Sequence, residues 1–322
     1  MLFLNQGDIH SAVTYEEVLA AIELAMSIYE KEAYFMPPRQ HLDHGKNTLL
    51  LMPCFTNQTF GIKLVSLFPE NAKKNIPVLK GTMILNNGET GEPLAVLDAA
   101  ALTALRTGAV GGTAVKHLAP ADIKTLGVIG AGIQGYYQAL FASEVRDISE
   151  IYVYDQNSNQ LDKYITKISE KRPDIIIHSA KTVYHLLENS QLVVTATNSN
   201  LPVLPDESKL LKNKHYVGIG SYKPDMREFP DSLFQMLDAI FIDTDHAVEE
   251  SGDLIHPLKM GWISRKNIFT LGKLLHKGQV KNTNSAGITL FKSVGMALFD
   301  VVVSDLIYGN AVDKGLGTEI SL

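Results

Sequence analysis

The sequence predicts an α/β protein in two regions, an antiparallel sheet followed by a parallel sheet with crossover helices, and three observations predict it. The turn-forming run Asn86-Asn87-Gly88-Glu89-Thr90-Gly91 separates two apolar stretches, which makes 82–85 and 93–97 a hairpin. From Lys124 onward, short apolar runs alternate with helical patterns, the mark of strands joined by crossover helices. One of those runs, 126–129, leads straight into Gly130-Ala131-Gly132-Ile133-Gln134-Gly135 and then a helical pattern. With 322 residues, 45% of them apolar and 20% charged, the chain has material for a sizeable core and for two domains.

In chain order, Thr14 and Glu17 form a capping box ahead of Val18, Ile22, Ala25, Met26 and Tyr29, which have helical spacing. After Pro37-Pro38, strands are expected over 48–52, 61–68 and 80–85. The Ala-rich stretch 99–118 reads as a helix, its Gly108, Gly111 and Gly112 marking close packing against a neighbouring backbone. Parallel strands follow at 126–129, 151–154, 175–178, 192–196, 216–219 and 239–242, and 288–309 reads as one last helix.

Charge and cysteine usage narrow the function classes. Lys and Arg total 29 against 35 Asp and Glu, so nucleic acid is not an expected partner. Cys54 is the single cysteine, which excludes an intrachain disulfide and a thiolate zinc cluster and reads as a small buried hydrophobe. Residues 1–8 lack a basic start and apolar stretch, and the most apolar region, 288–307, is interrupted by Lys292, Asp300 and Asp305. A cytoplasmic protein with no membrane partner is expected.

The strand, glycine loop and helix together are the context that gives G-x-G-x-x-G its meaning. Gly130 allows the tight turn, Gly132 lets a pyrophosphate approach the backbone beside Ile133 and Gln134, and Gly135 lets helix and strand pack closely. The unpaired N–H groups at the helix start hold the phosphates. Asp155 ends the second strand of this region, where the fingerprint expects an acid on the adenosine ribose hydroxyls. A carboxylate there repels a 2′-phosphate and no Arg follows it over 156–159, which favours NAD(H) over NADP(H). Thr195, Thr197, Gly220 and Ser221 stand at ends of further strands, where an open α/β sheet places its ligands.

On the substrate side, cations inside apolar segments stand out. Lys63 lies in Phe60-Gly61-Ile62-Lys63-Leu64-Val65, which reads as a strand buried on both faces, so its ammonium must reach a cleft or be costly. Arg106 is embedded in an apolar helix, and Arg39 follows Pro37-Pro38, whose backbone fixes its direction. Two guanidinium groups and one ammonium are the set that clamps a carboxylate and leaves a donor for the reacting centre. No metal site is expected, because His41 and His44 lack a third ligand. The acidic run Asp243, Asp245, His246, Glu249 and Glu250 reads as a solvated helix start.

Taken together, Arg39, Lys63, Arg106-Thr107, the loop 130–135, the run 221–228, Glu249-Glu250-Ser251-Gly252-Asp253 and Ser293-Val294-Gly295-Met296-Ala297 resemble the ornithine cyclodeaminase/mu-crystallin family over nearly the whole chain. The glycine loop is generic. Gly61-Ile62-Lys63 with Pro69-Glu70-Asn71, Leu105-Arg106-Thr107 and Glu250-Ser251-Gly252-Asp253 are specific in combination. The resemblance implies a Rossmann NAD(P)-binding domain over 119–298 and a smaller α+β substrate-binding and dimerisation domain over 1–118, completed by the C-terminal helix 299–322. It also implies a homodimer, contact of Arg39, Lys63 and Arg106 with the substrate, and cofactor contact by Arg106, Thr107 and Ser293.

The family holds several reactions, and two departures help to choose among them. Cyclodeaminases usually carry a Glu two residues before the Met-Pro that is Met52-Pro53 here, and this chain has Leu50. They also carry an Asp directly after the two small residues Gly220-Ser221, where this chain has Tyr222; Asp225 is the nearby candidate for that catalytic acid. The run 221–228 is closer to the mu-crystallin and cyclic-imine reductase pattern, although many such reductases prefer NADPH, against which Asp155 stands. The expected function is an NAD(P)H-dependent reductase of a small carboxylate-bearing imine such as pyrroline-2-carboxylate, with Lys63 serving the nitrogen. The alternatives are ornithine cyclodeaminase, an amino-acid or opine-type dehydrogenase, and a small-ligand binding protein of crystallin type.

Overall fold

The computed structural model describes residues 1–74, 76–277 and 287–321. The chain divides into two units, Met1–Arg106 with Met296–Leu322, and Thr107–Gly295, the break falling inside the helix Ala99–Leu118.

The first unit is built on a sheet whose strands run, in spatial order, Thr318–Glu319, Leu2–Leu4, Pro93–Asp98, Leu79–Asn87, Thr59–Leu67, Asn47–Thr56 and Tyr34–Phe35, with Gln40–His44 also paired to Asn47–Thr56. Its pairings are antiparallel except that of Leu2–Leu4 with Pro93–Asp98. The hairpin forms where its turn residues put it. Asn87 accepts the N–H groups of Glu89 at 2.8 Å and Thr90 at 3.0 Å, and Gly91 takes a left-handed φ of 74°.

Thr14 and Glu17 close the expected capping box at the start of the helix Tyr15–Glu30. This helix packs on Ala297–Lys314, which lies across the strands Asn47–Thr56, Thr59–Leu67 and Leu79–Asn87. That cover makes the strand Thr59–Leu67 alternate: Thr59, Gly61, Lys63 and Val65 are buried, whereas Phe60, Ile62 and Leu64 are half-buried. The expectation of burial on both faces is therefore corrected; the run reads as continuously apolar because the outward positions are apolar too.

The second unit carries eight strands among the described residues, all parallel, in the spatial order Ile176–Ser179, Glu150–Tyr154, Thr125–Ile129, Leu192–Thr195, His215–Gly218, Thr289–Lys292, Ile240–Ile242 and Ile268–Thr270. Thr125–Ile129 and Leu192–Thr195 lie side by side while the chain leaves them toward opposite edges, which creates a switch point at their carboxyl ends. Helix residues Gly108 and Gly111 meet the helix Ile133–Val145: an added Cβ would stand 2.6 Å from the Phe141 ring and 1.8 Å from Gln138 Oε1. The small residues thus make room for large side chains rather than for another backbone.

One element differs from expectation. In place of a single helix over 288–309, the strand Thr289–Lys292 enters the sheet between His215–Gly218 and Ile240–Ile242, and the helix Ala297–Lys314 begins only after Gly295, whose φ is 75°. All four strand residues are buried, and an apolar run buried on every side has no periodicity by which helix and strand differ.

Candidate active site

In the second unit, the glycine loop leaves the switch point through Gly130, whose φ of 105° is a conformation that glycine adopts without penalty. An added Cβ on Gly130 would stand 2.5 Å from the carbonyl oxygen of Ala196, and one on Gly135 would stand 2.0 Å from that of Gly130. A Cβ on Gly132 would meet no atom within 4 Å. Gly130 and Gly135 therefore serve the turn itself, while Gly132 keeps a surface clear. Gly132 starts the helix Ile133–Val145 with no side-chain cap, so this end presents uncapped N–H groups and the positive end of the helix dipole. Ile133 is exposed, and the buried Oε1 of Gln134 has no hydrogen-bond partner.

Asp155 reaches back to this loop. One of its oxygens accepts the Ala131 N–H at 2.7 Å and the other the Asn157 N–H at 2.8 Å, which leaves each a further lone pair for a hydroxyl. The hydroxyl of Thr195, at the end of a switch-point strand, and that of Thr107, whose carbonyl accepts from Gln138 at 2.8 Å, are buried and likewise unpartnered. An open Cβ position, an uncapped helix start, a carboxylate with spare acceptors and orphaned hydroxyls are the features a dinucleotide requires, so the residues present fit that group.

The loops after the next two strands are tied together from behind. Thr197, Gly220 and Ser221 all donate to the buried carboxylate of Glu228, and the Ser221 hydroxyl bonds to Met226 O at 2.7 Å and the Ser251 hydroxyl at 2.8 Å. Ser221 is thus fully buried, its hydroxyl committed to its neighbours. Ser293 is also buried and donates to Asp243 Oδ2 at 2.6 Å. Asp243 further accepts from the N–H groups of Val294 and Gly295, so its reading as part of a solvated helix start is corrected: it is a buried anchor for the 293–295 loop. Asp225 stands exposed on a turn, and His41 and His44 are exposed on the strand Gln40–His44.

The first unit holds a buried cluster of charge. Lys63 Nζ lies 2.7 Å from Asp300 Oδ2, and Arg106 Nε donates to Asp300 Oδ1 at 2.9 Å, all three side chains being buried. Each comes from a different element: Lys63 from the strand Thr59–Leu67, Arg106 from the helix Ala99–Leu118 and Asp300 from the helix Ala297–Lys314. Lys63 stands opposite Met52 and Met83 on the neighbouring strands, and both are buried. Arg106 Nη1 is buried with no partner, so the guanidinium retains an unused donor. Burial pushes the Lys63 ammonium down to about 8; Asp300 opposes the shift, and the nearby charges of Arg106 and Arg39 add to it. Asp300 was legible only as a charge interrupting an apolar helix, which was the available signal. Cys54 is buried as expected, its thiol pushed up to about 12 by burial and then by Asp300.

A doubly wound parallel sheet with a dinucleotide-type glycine loop, joined to an α+β unit carrying a buried Lys–Asp–Arg cluster, defines the class of protein. The chain belongs to the ornithine cyclodeaminase/mu-crystallin family, whose model matches residues 1–315. It is 34% identical over 330 aligned residues to the Delta(1)-pyrroline-2-carboxylate reductase of Bacillus thuringiensis subsp. konkukian, covering 99% of each chain. The structure of the Thermococcus litoralis Delta(1)-pyrroline-2-carboxylate reductase in complex with NADH and L-proline matches 99% of this chain and 100% of that one, with a TM-score of 0.92 and 32% identity. An archaeal alanine dehydrogenase dimer with bound NAD matches 100% of this chain and 99% of its own, with a TM-score of 0.90 and 30% identity. No helix among the described residues is long and apolar enough to cross a membrane.

Proposed function

We propose that the protein is an NAD(H)-dependent reductase of a small cyclic imine bearing a carboxylate, of which pyrroline-2-carboxylate is the reference substrate. The observation that carries this reading is the buried Lys63–Asp300–Arg106 cluster with its unpartnered Arg106 Nη1. Arg106 Nη1, assisted by Arg39, takes the carboxylate. Lys63 faces the imine nitrogen and gives it a proton as the bond is reduced, recovering one from solvent afterwards. Its pKa of about 8 leaves most molecules protonated at neutral pH while making the proton easier to release than that of an ordinary lysine. Asp300 holds Lys63 in its charged form. When bound, reduced nicotinamide supplies the hydride to the C=N carbon. Gly130, Gly132, Ile133, Gln134 and Gly135 take the pyrophosphate, Asp155 the adenosine ribose, and Thr107, Thr195, Thr197 and Gly220 the remainder of the dinucleotide.

Leu50 supports a ring rather than a distal amine on the substrate: it is buried on the same face of its strand as Met52, the residue opposite Lys63, so that face is apolar. The similarity to an archaeal alanine dehydrogenase favours a second reading, reductive amination of a 2-oxo acid. The homodimer belongs to the same proposal. Leu49 and Phe55 are exposed on the face of their strand away from Cys54, with Phe55 stacked on Phe60 at 4.7 Å, and an apolar sheet face of that kind calls for a second copy.

The test is cofactor oxidation by purified protein with pyrroline-2-carboxylate, NADH and NADPH in parallel, beside pyruvate with ammonia and an ammonia assay with ornithine and NAD. Rapid NADH oxidation with the imine is the expected result. Release of ammonia from ornithine with the imine inert overturns it in favour of cyclodeamination. Lys63→Met is expected to lower kcat by at least about a hundredfold while NADH binding stays within about twofold.

A further inference from the structure

Glu228 is fully buried in the second unit, and its two oxygens serve two different loops. Oε1 accepts the Thr197 N–H at 2.8 Å and the Thr197 hydroxyl at 2.9 Å. Oε2 accepts the Gly220 N–H at 2.7 Å and the Ser221 N–H at 3.2 Å. Thr197 lies just past the strand Leu192–Thr195 and Gly220 just past His215–Gly218, at the carboxyl ends of adjacent parallel strands. The clearance between the loops is small: a Cβ on Gly220 would stand 2.1 Å from Thr197 O and 2.4 Å from Glu228 Oε1.

The carboxylate is itself held. Asp253 Oδ1 accepts the N–H groups of Glu228 at 2.8 Å and Phe229 at 3.1 Å, and Lys292 Nζ lies 3.4 Å from Asp253 Oδ2 and 3.7 Å from Glu228 Oε2. Lys292 is fully buried on the interior strand Thr289–Lys292, and these two acids are its ion-pair partners. Four donors converging on one side chain need two oxygens that each accept twice, which an ionised carboxylate provides and an amide does not. Burial raises the Glu228 pKa, and Lys292 supplies the countercharge that opposes this rise and favours the carboxylate the four donors require.

We propose that Glu228 is a positioning residue for the dinucleotide, fixing the separation of the 195–198 and 218–221 loops and thereby the surface that takes the nicotinamide ring at the end of NAD(H). The assignment to that end follows from the fold. The glycine loop and Asp155 belong to the first half of the sheet, which takes pyrophosphate and adenosine, while the loops clamped by Glu228 belong to the second half, across the switch point. The inference rests on the reading of this chain as an NAD(H)-dependent reductase.

The test compares wild type, Glu228→Gln, Glu228→Asp and Lys292→Met by titration with NADH and with ADP-ribose, which lacks nicotinamide, together with steady-state kinetics on pyrroline-2-carboxylate. Glu228→Gln turns an amide NH2 toward two of the four donors and is expected to raise the Kd and KM for NADH about tenfold. Its Kd for ADP-ribose and its KM for the imine at saturating NADH stay within about twofold of wild type. Glu228→Asp, which keeps both acceptors, recovers most of the loss. Lys292→Met leaves all four donors in place and weakens NADH in the same selective way, which keeps the test open if the Glu228 variants do not fold. Equal weakening of NADH and ADP-ribose, or no change in either, overturns the positioning role. Wild type that binds neither compound overturns the reductase reading itself, so the two failures are distinguishable.

Discussion

Replacing Asp300 with Asn removes the charge that opposes the depression of the Lys63 pKa while nearly preserving shape. Lys63 sits at about 8 because burial lowers it and Asp300, at 2.7 Å, raises it again. An opposite charge at that distance is worth roughly one to three pKa units. Taken at about 1.5 units, its loss brings Lys63 to about 6.5 and makes Lys63 the group that neutralises. At pH 8 the protonated fraction then falls from about one half to about 3%, a loss of roughly fifteenfold; at pH 6 the loss is below about twofold. The assay is kcat/KM for imine reduction from pH 5.5 to 9.5, whose alkaline limb reports the acid of the free enzyme. Wild type should show that limb near pH 8 and Asp300→Asn about 1.5 units lower, with a fall in Tm from the broken buried pair. A limb that does not move, or a loss equal at every pH, refutes the assignment of Lys63 as proton donor and Asp300 as its support.

Two further predictions separate the roles within the dinucleotide site. Gly135→Ala places a methyl carbon against the Gly130 carbonyl oxygen and should lower Tm by roughly 5 °C, whereas Gly132→Ala, in open space at a φ of -85°, should leave Tm unchanged and weaken NADH about tenfold or more, as melting curves and fluorescence titration will show. Asp155→Ser removes the carboxylate that repels a 2′-phosphate and should shift the NADPH-to-NADH ratio of kcat/KM toward NADPH by about tenfold; an unchanged ratio would mean that the preference is set elsewhere.

The parts of the fold legible in the sequence are those specified by local chemistry. The capping box at Thr14, the turn at 86–91 and the helix Ala99–Leu118 each follow from residues a few positions apart. The strand Thr289–Lys292 was not legible because its identity comes from the strands on either side of it, and the sequence offers only an apolar run. The same limit applies to the site. Lys63 and Arg106 stood out because a cation within an apolar segment must have a reason, but their common partner lies 194 residues beyond Arg106, a separation that no spacing rule spans. Asp225 and Glu228 illustrate the converse. Both are acids in one short run, and the one nearer the family's expected acid position is exposed, while the other is buried with four donors on its carboxylate. Burial, which decides between them, is a property of the packed chain.

The charges of the first unit also bear on how the two directions of the proposed reaction depend on pH. Lys63 and Arg106 share one carboxylate, Asp300, so the buried cluster with Lys63 protonated carries one more positive charge than negative, and Arg39 adds to the field at Lys63. A substrate that brings one carboxylate balances the cluster, and its imine nitrogen, which carries a lone pair, meets an ammonium as acceptor to donor. An amino acid brings the same carboxylate together with an ammonium of its own, which the protonated Lys63 repels. Oxidation therefore requires Lys63 to be neutral before the amine can approach, and a pKa near 8 makes that the minority form at neutral pH. On the proposed reading one lysine serves both directions by microscopic reversibility, its protonated form assisting imine reduction below about pH 8 and its neutral form assisting amine oxidation above it. Asp300 raises the Lys63 pKa against burial and so moves that crossover upward; on this reading a single buried carboxylate, remote in sequence from both cations, tunes the relative rates of the two directions, while the reactants set the equilibrium between them.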